Sequence, residues 1–301
     1  MTEINKHSKE FRERFLKVLE RIDCDALYFS GGMDSTTILF GLLELGRKPF
    51  LVSFKQKDIE SKDHIIGTKI ANHYNLKREL VETKTDKEGV LKDIDKVISL
   101  IKYPTKVHIQ CCIPFIYMSE KLKELGYTSA FTGLSADDIF GNTRKYSMHY
   151  REFGDEGIIK YRMKELFDNP KLSDYDIRII CESFNIKMID PYRDGSLTKL
   201  RENSLLDYLL KIPFKELHWK KQKSLFYHAF LEYWKDEWYH IGNLQVVSGL
   251  RETHDKILLE DPTINNVSAK AVIKIYKELI KKHKNKSTLD KFILWNTNHI
   301  I

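Results

Sequence analysis

Residues 26–36 read A-L-Y-F-S-G-G-M-D-S-T, and the S-G-G-M-D-S core from Ser30 to Ser35 decides the fold. An apolar run from Ala26 to Phe29, two glycines and an amphipathic segment opening at Asp34-Ser35 spell a strand, a tight turn and a helix start. Gly31 and Gly32 let the main chain approach a bulky anion that a Cβ would obstruct. The helix expected from about Asp34 to Leu45 presents unpaired N–H groups and a partial positive charge at its first turn. Ser30 and Ser35 add hydroxyl donors. Asp34 would repel a bare phosphate, so the loop implies a divalent cation, such as Mg2+, bridging carboxylate and phosphate oxygens. The kinase-type phosphate loop, G-x-x-x-x-G-K-S/T, is not present: its nearest match, from Gly41 to Lys48, has Arg47 in place of the lysine and no hydroxyl after it. Gly46 reads instead as the C-terminal cap of the first helix.

A second segment repeats the pattern. From Phe131 the chain runs F-T-G-L-S-A-D-D-I-F-G-N after the apolar stretch at Tyr127 to Ala130, again a strand end, a glycine turn and paired carboxylates. Each motif also has a plainer reading, a strand-to-helix turn with an N-cap; the two in order point to one anion site.

The first motif resembles the pyrophosphate loop of the N-type ATP pyrophosphatases, which split ATP between the α and β phosphates. The second resembles the S-G-E-G-A-D-E-I/V-F-G-G segment of asparagine synthetases and β-lactam synthetases. Further stretches fit: Ser61-Lys62-Asp63 and the helical run after it resemble S-x-D-x-x-x-A-x-x-I/V-A, and Cys112-Ile113-Pro114 with Tyr117-Met118-Ser119 resembles S-T-P-x-x-x-M/L-S. Ile186 to Asp194 resembles V-E-x-R-x-P-F-L-D, and Lys220 to Lys223 leading into Phe230 resembles G-K-x-x-K-x-x-L-R-x-x-F. Over about residues 15 to 255 the chain is similar to the asparagine synthetase-like synthetase domain.

That resemblance implies ATP as cofactor, with Ser30, Gly31, Gly32, Met33 and Ser35 around its phosphates and Val52, Ser53 and Phe54 along the adenine. Thr132 and Gly133 of the second loop are likewise implied as nucleotide-binding. Asp34 and Asp137 are implied as the catalytic carboxylates that hold magnesium, with Asp138 in support. The expected activity is an ATP-dependent carbon–nitrogen ligase: a carboxylate becomes an acyl adenylate, and ammonia or an amine displaces AMP.

The departures are specific. Leu134 stands where the family has a glutamate that helps position the incoming nitrogen, and Ser135 replaces a glycine. Where the family carries R-x-K-x-x-F-S-x-G, residues 243–249 read N-L-Q-V-V-S-G, so the family lysine is missing. Lys223 or Arg251 is left to supply that charge. Asparagine synthetases begin with a glutaminase domain whose nucleophile is a cysteine at residue 2; here residue 2 is Thr, and about 25 residues precede the first strand. The nitrogen is therefore expected from free ammonia, a substrate amine or a separate glutaminase subunit.

Composition agrees with an α/β protein. With 301 residues and 42% hydrophobic content, the chain can bury a large core. The expected fold is a doubly wound, parallel five-stranded sheet, with strands at 26–30, 50–54, 79–82, 129–133 and 185–189, and a helical C-terminal part. Such a sheet binds ligands at the carboxyl ends of its strands. The expected organisation is an N-terminal helix (1–20), the ATP pyrophosphatase core (21–150), the rest of the synthetase domain (151–260) and a basic helical tail (261–301), with 151–180 read as a connecting excursion.

No apolar run approaches the roughly 20 residues of a spanning helix, and a cytoplasmic protein without a membrane partner is expected. Cys24, Cys111, Cys112 and Cys181 form no C-x-x-C pair, which argues against a zinc cluster of the 7-cyano-7-deazaguanine synthase kind. The aromatics Phe226, Phe230, Tyr233 and Trp234 at helical spacing read as core. Residues 268–286 read as an amphipathic helix whose lysines form a solvated face; with a net charge of +7 they would also suit a polyanion. Two other functions therefore stay open beside the ligase: an ATP pyrophosphatase that modifies a nucleobase or nucleic acid, and a non-catalytic nucleotide-binding subunit.

Overall fold

A computed structural model describes residues 3–57, 59–101, 104–141, 144–168, 172–193, 200–218, 223–239, 248–259 and 269–284. Five strands, β1 (Ala26–Tyr28), β2 (Phe50–Gln56), β3 (Arg78–Thr83), β4 (Ser129–Phe131) and β5 (Lys187–Ile189), form one sheet in the order β3-β2-β1-β4-β5. Every pair is parallel, with Leu27 opposite Leu51 on one side and Phe131 on the other. The expected strands are all present, and they differ only in their ends. Because the chain winds outward from β1 in both directions, the crevice between β1 and β4 is the switch point where such sheets take ligands.

Parallel strands are covered on both faces, and the side-chain period of two sorts this sheet into two cores. Leu27, Phe29, Leu51 and Phe131 point into one, while Ala26, Tyr28, Val52 and Ala130 point into the other. The first core is roofed by α1 (Glu3–Glu20), α2 (Met33–Glu44) and α3 (Lys62–His73), and the second by α4 (Lys87–Leu100), α5 (Lys106–Glu124) and α8 (Leu172–Ser183). Between β4 and α8 lie α6 (Ala136–Phe140) and α7 (Arg144–Met163). The stretch read as a connecting excursion is thus largely helical, and α8 packs along α5 as part of the second layer.

The N-terminal helix is built into the site's foundation. Phe11 and Phe15 of α1 are fully buried, and Phe15 stacks on Tyr192 at 5.1 Å between ring centroids. Tyr192 stacks in turn on Phe226 of α11 (Ser224–Ala229), reached through α9 (Leu205–Lys211) and α10 (Phe214–Leu217). The aromatic segment that follows is core, as its composition implies, but it is no continuous helix. Phe230 leaves helical geometry at φ −129°, and two 3-10 turns, Leu231–Tyr233 and Asp236–Trp238, carry the chain onward. Phe230, Trp234 and Trp238 are buried all the same.

Two further helices, α12 (Leu250–Leu259) and α13 (Ala269–Lys284), pack against α4. Within α13, Ile275 and Tyr276 are buried while Lys274 and Lys277 are exposed, the pattern of an ordinary amphipathic helix with a solvated face. Cys24, Cys112 and Cys181 are buried and Cys111 is half-buried, all as free thiols. No described helix is long and apolar enough to cross a membrane.

Candidate active site

The first turn of α2 is open. Side-chain caps close α3, α4 and α5, from Ser61, Asp86 and Thr105, whereas Gly32 at the start of α2 carries none. Thr36 N–H finds the Gly32 carbonyl, leaving the amides of Met33, Asp34 and Ser35 at an uncapped helix start. Ser30 and Ser35 stiffen the loop beneath it: Ser30 Oγ accepts from Gly32 N–H at 3.0 Å, and Ser35 Oγ accepts from Ser30 N–H at 3.3 Å. A helix N-terminus with amides directed outward is an anion site.

Two glycines set the spacing of this loop. Gly31 adopts φ +82°, and a Cβ there would lie 2.6 Å from Gly67 N and 3.0 Å from the Asp63 carbonyl oxygen, so the loop rests directly on the α3 backbone. Gly133, after β4, comes so close to the first turn of α2 that a Cβ would sit 2.8 Å from Asp34 Cβ. The two motif loops therefore meet backbone to backbone across the β1–β4 crevice.

Lys223 joins them. Its side chain is 2% exposed, and its ammonium lies 2.5 and 2.7 Å from the two Asp34 carboxylate oxygens and 2.6 Å from Asp137 Oδ1. Burial pushes the Asp34 carboxyl up to about 6; the Lys223 charge opposes this, and Asp137 and Asp190 reinforce it. Burial works against the Lys223 ammonium, but Asp137 and Asp34 outweigh it and hold the lysine above its ordinary value. The lysine is a buried, permanent cation between two carboxylates.

Asp138, the partner of Asp137 in sequence, turns inward and accepts a hydrogen bond from Tyr146 at 3.1 Å. Thr132 is buried at the end of β4, its N–H donating to the Ile189 carbonyl. Met33 and Val52 are buried and Phe54 is half-buried. Ser53 Oγ is already committed, donating to the Phe29 carbonyl at 2.5 Å and accepting from Arg78 Nε at 2.9 Å. Gly67 makes room for that arginine: it stands at the alanine of S-x-D-x-x-x-A, and a Cβ there would come within 3.2 Å of the guanidinium. Arg251 is exposed on α12, which starts beside β2, where Gln56 Nε2 donates to the Ser248 carbonyl at 2.7 Å. Of the two candidate cations, Lys223 is the one that reaches Asp34 and Asp137. Residues 220–222 and 243–247 lie outside the described residues.

Three residues of the site escaped the sequence reading. Asp190 is buried after β5, where its carboxylate accepts N–H bonds from Ser135 and Tyr192, each at 3.0 Å. Tyr192 donates its hydroxyl to the Asp34 carbonyl at 2.7 Å. His218 bridges Lys223 and α6, its ring nitrogens at 3.2 Å from Lys223 N and 2.7 Å from the Phe140 carbonyl oxygen. Asp190 and Tyr192 sit in the stretch from Ile186 to Asp194, which reads D-P-Y-R at 190–193, so a strand end followed by Asp-Pro was a usable signal; nothing in the local sequence marks His218.

A parallel sheet with an uncapped helix start at its switch point, faced by paired carboxylates, defines an α/β protein with a candidate anion site at the β1–β4 crevice. The family described as asparagine synthase matches residues 26–300, and the chain belongs to that family of ATP-using amide ligases. A protein of Methanocaldococcus jannaschii named "Putative asparagine synthetase (glutamine-hydrolyzing) 1" is 28% identical over 172 residues, covering 55% of this chain and 31% of that protein. The match therefore spans less than a third of the relative's length.

Proposed function

We propose that the chain activates a carboxylate with ATP and transfers the acyl group to ammonia or an amine, releasing AMP and pyrophosphate. The observation that carries this reading is the Lys223 ammonium held between Asp34 and Asp137 at the open start of α2. Magnesium takes one or two carboxylates together with substrate phosphate oxygens, and this pair suits it. Among the described residues no group of three His, Cys, Asp or Glu side chains could hold a metal without such oxygens. Asp34 and Asp137 would hold the ion, which would neutralise charge gathering on the departing pyrophosphate.

The chain's own groups do the rest. The amides at Met33, Asp34 and Ser35 receive polyphosphate oxygens, as donors aimed at developing charge. Lys223, already charged and desolvated, adds a cation beside the same two carboxylates. An oxygen of the substrate carboxylate attacks the α-phosphorus, the bond to the bridging oxygen of pyrophosphate breaks, and an acyl adenylate remains. The nitrogen lone pair then attacks the carbonyl carbon, AMP leaves with the C–O bond electrons, and the excess proton goes to solvent. Leu134, half-buried where the resemblance places a glutamate at the incoming nitrogen, leaves no carboxylate there and favours a product other than asparagine.

The test uses a panel of carboxylic acids labelled with 18O, supplied with ATP, magnesium and ammonium. The expected result is one acid whose label appears in the phosphate of AMP. Amide product without label transfer would refute the adenylate.

A further inference from the structure

Lys223 is held in an unusual backbone state. It adopts φ 54° and ψ 34°, the left-handed region in which a residue with a side chain is strained, and it opens α11 with no side-chain cap. Strain of this kind persists only where the surroundings impose it. The group against the Lys223 amide is His218, five residues earlier in the chain.

The imidazole's hydrogen bonds fix its own state. A carbonyl oxygen only accepts, so the 2.7 Å contact to Phe140 requires the proton on Nε2. Nδ1 is then an acceptor, and the Lys223 N–H donates to it at 3.2 Å. The ring is held edge-on against Phe214 at 4.9 Å. Burial, helped by the charges of Lys223 and Arg162, lowers its proton affinity against the pull of the Phe140 carbonyl and keeps it neutral. Phe140 ends α6, the helix that carries Asp137.

We infer that His218 is a positioning residue: its Nδ1, fixed as an acceptor because Nε2 donates to the Phe140 carbonyl, takes the Lys223 N–H and imposes the left-handed turn that sends the ammonium between Asp34 and Asp137. This rests on the proposed function for its consequence in turnover, though not for its effect on the lysine.

The test compares three variants of the full chain. His218→Asn places an oxygen close to Nδ1 and keeps the acceptor for Lys223. His218→Gln places an N–H close to Nε2 and keeps only the bond to Phe140. His218→Leu loses both. Each is treated with an amine-acetylating reagent, and the rate at Lys223 is read by peptide mass spectrometry. Lys106, paired with Asp255 elsewhere in the fold, serves as the control for unfolding. Acetylation of Lys223 should rise roughly tenfold in the Gln and Leu variants, the order of one lost hydrogen bond to a buried group, and stay near wild type in Asn, with Lys106 unchanged. In the AMP-release assay, kcat should fall by a similar factor in Gln and Leu and recover in Asn. Lys223 protected in all three variants, or Asn no better than Gln, would overturn the inference. Wild type that releases no AMP, with the acetylation pattern as expected, would refute the proposed function and leave His218 in its positioning role.

Discussion

Replacing Asp34 with asparagine should make the protein more stable and nearly inactive. The carboxyl is pushed from 3.8 to about 6, chiefly by burial, even with Lys223 beside it. A raised carboxyl means that the folded state holds the proton more tightly than the unfolded chain does. Ionised Asp34 therefore costs stability above pH 6, and the cost fades as pH falls through 6 towards 3.8. At about 1.4 kcal/mol per pH unit the cost at pH 7 is of the order of 1 to 3 kcal/mol. An uncharged amide in its place would carry none of that cost, and Lys223 would keep Asp137 at 2.6 Å. Urea unfolding at pH 7 should show Asp34→Asn more stable by about 1 to 3 kcal/mol, with the difference gone near pH 4. AMP release should fall by about a hundredfold or more, the usual loss when one group that stabilises transition-state charge is removed. A variant less stable than wild type at pH 7 would show that the Lys223 ion pair outweighs burial. Unchanged turnover would refute the role given to Asp34.

Gly31→Ala should cost about 2 to 4 kcal/mol in urea unfolding, since it adds both a left-handed side chain and a contact with the α3 backbone; a loss under about 1 kcal/mol would mean that the loop can lift off α3. His254, fully buried on α12, has its proton affinity lowered to about 4 by burial. The unfolded chain takes up that proton from 6.5 downward, so stability should be lost as pH falls from 6.5 through 4, and His254→Gln should flatten that limb of the stability profile. Leu134→Glu restores the family carboxylate in the second loop and should gain asparagine formation from aspartate, ATP and ammonium, read by amino-acid analysis; no gain would show that the missing carboxylate is not what bars that product.

Most of the sheet could be read from the sequence because β1, β2 and β4 carry short apolar stretches that end in a glycine or a polar turn, whereas the edge strand β3 shows only Leu80 and Val81 between charged residues. Asp34, Asp137 and Gly133 were legible for the same reason: strand-end loops collect at one edge of such a sheet. What could not be read is how distant segments close on that edge. Lys223 could be named only as one of two candidate cations, because what selects it is a left-handed turn, 189 residues from Asp34, that buries its ammonium. His218 has no pattern around it, and its role comes from a contact with the end of α6. Helical spacing misled from Phe226 to Tyr239, where packing Phe230 and Trp234 into the core matters more than continuing the helix. The α1 helix gave no sign that its phenylalanines support Tyr192, and through it Asp34.

Cleavage of ATP between the α and β phosphates leaves an α-phosphorus label in AMP, so the nucleotide formed from α-labelled ATP reads the bond that breaks. The purified chain would be incubated with magnesium, ammonium and the acid panel, and the nucleotides separated. Labelled AMP that depends on one acid and is lost in Asp34→Asn is the expected result; labelled ADP, or AMP undiminished in that variant, would refute cleavage at that bond.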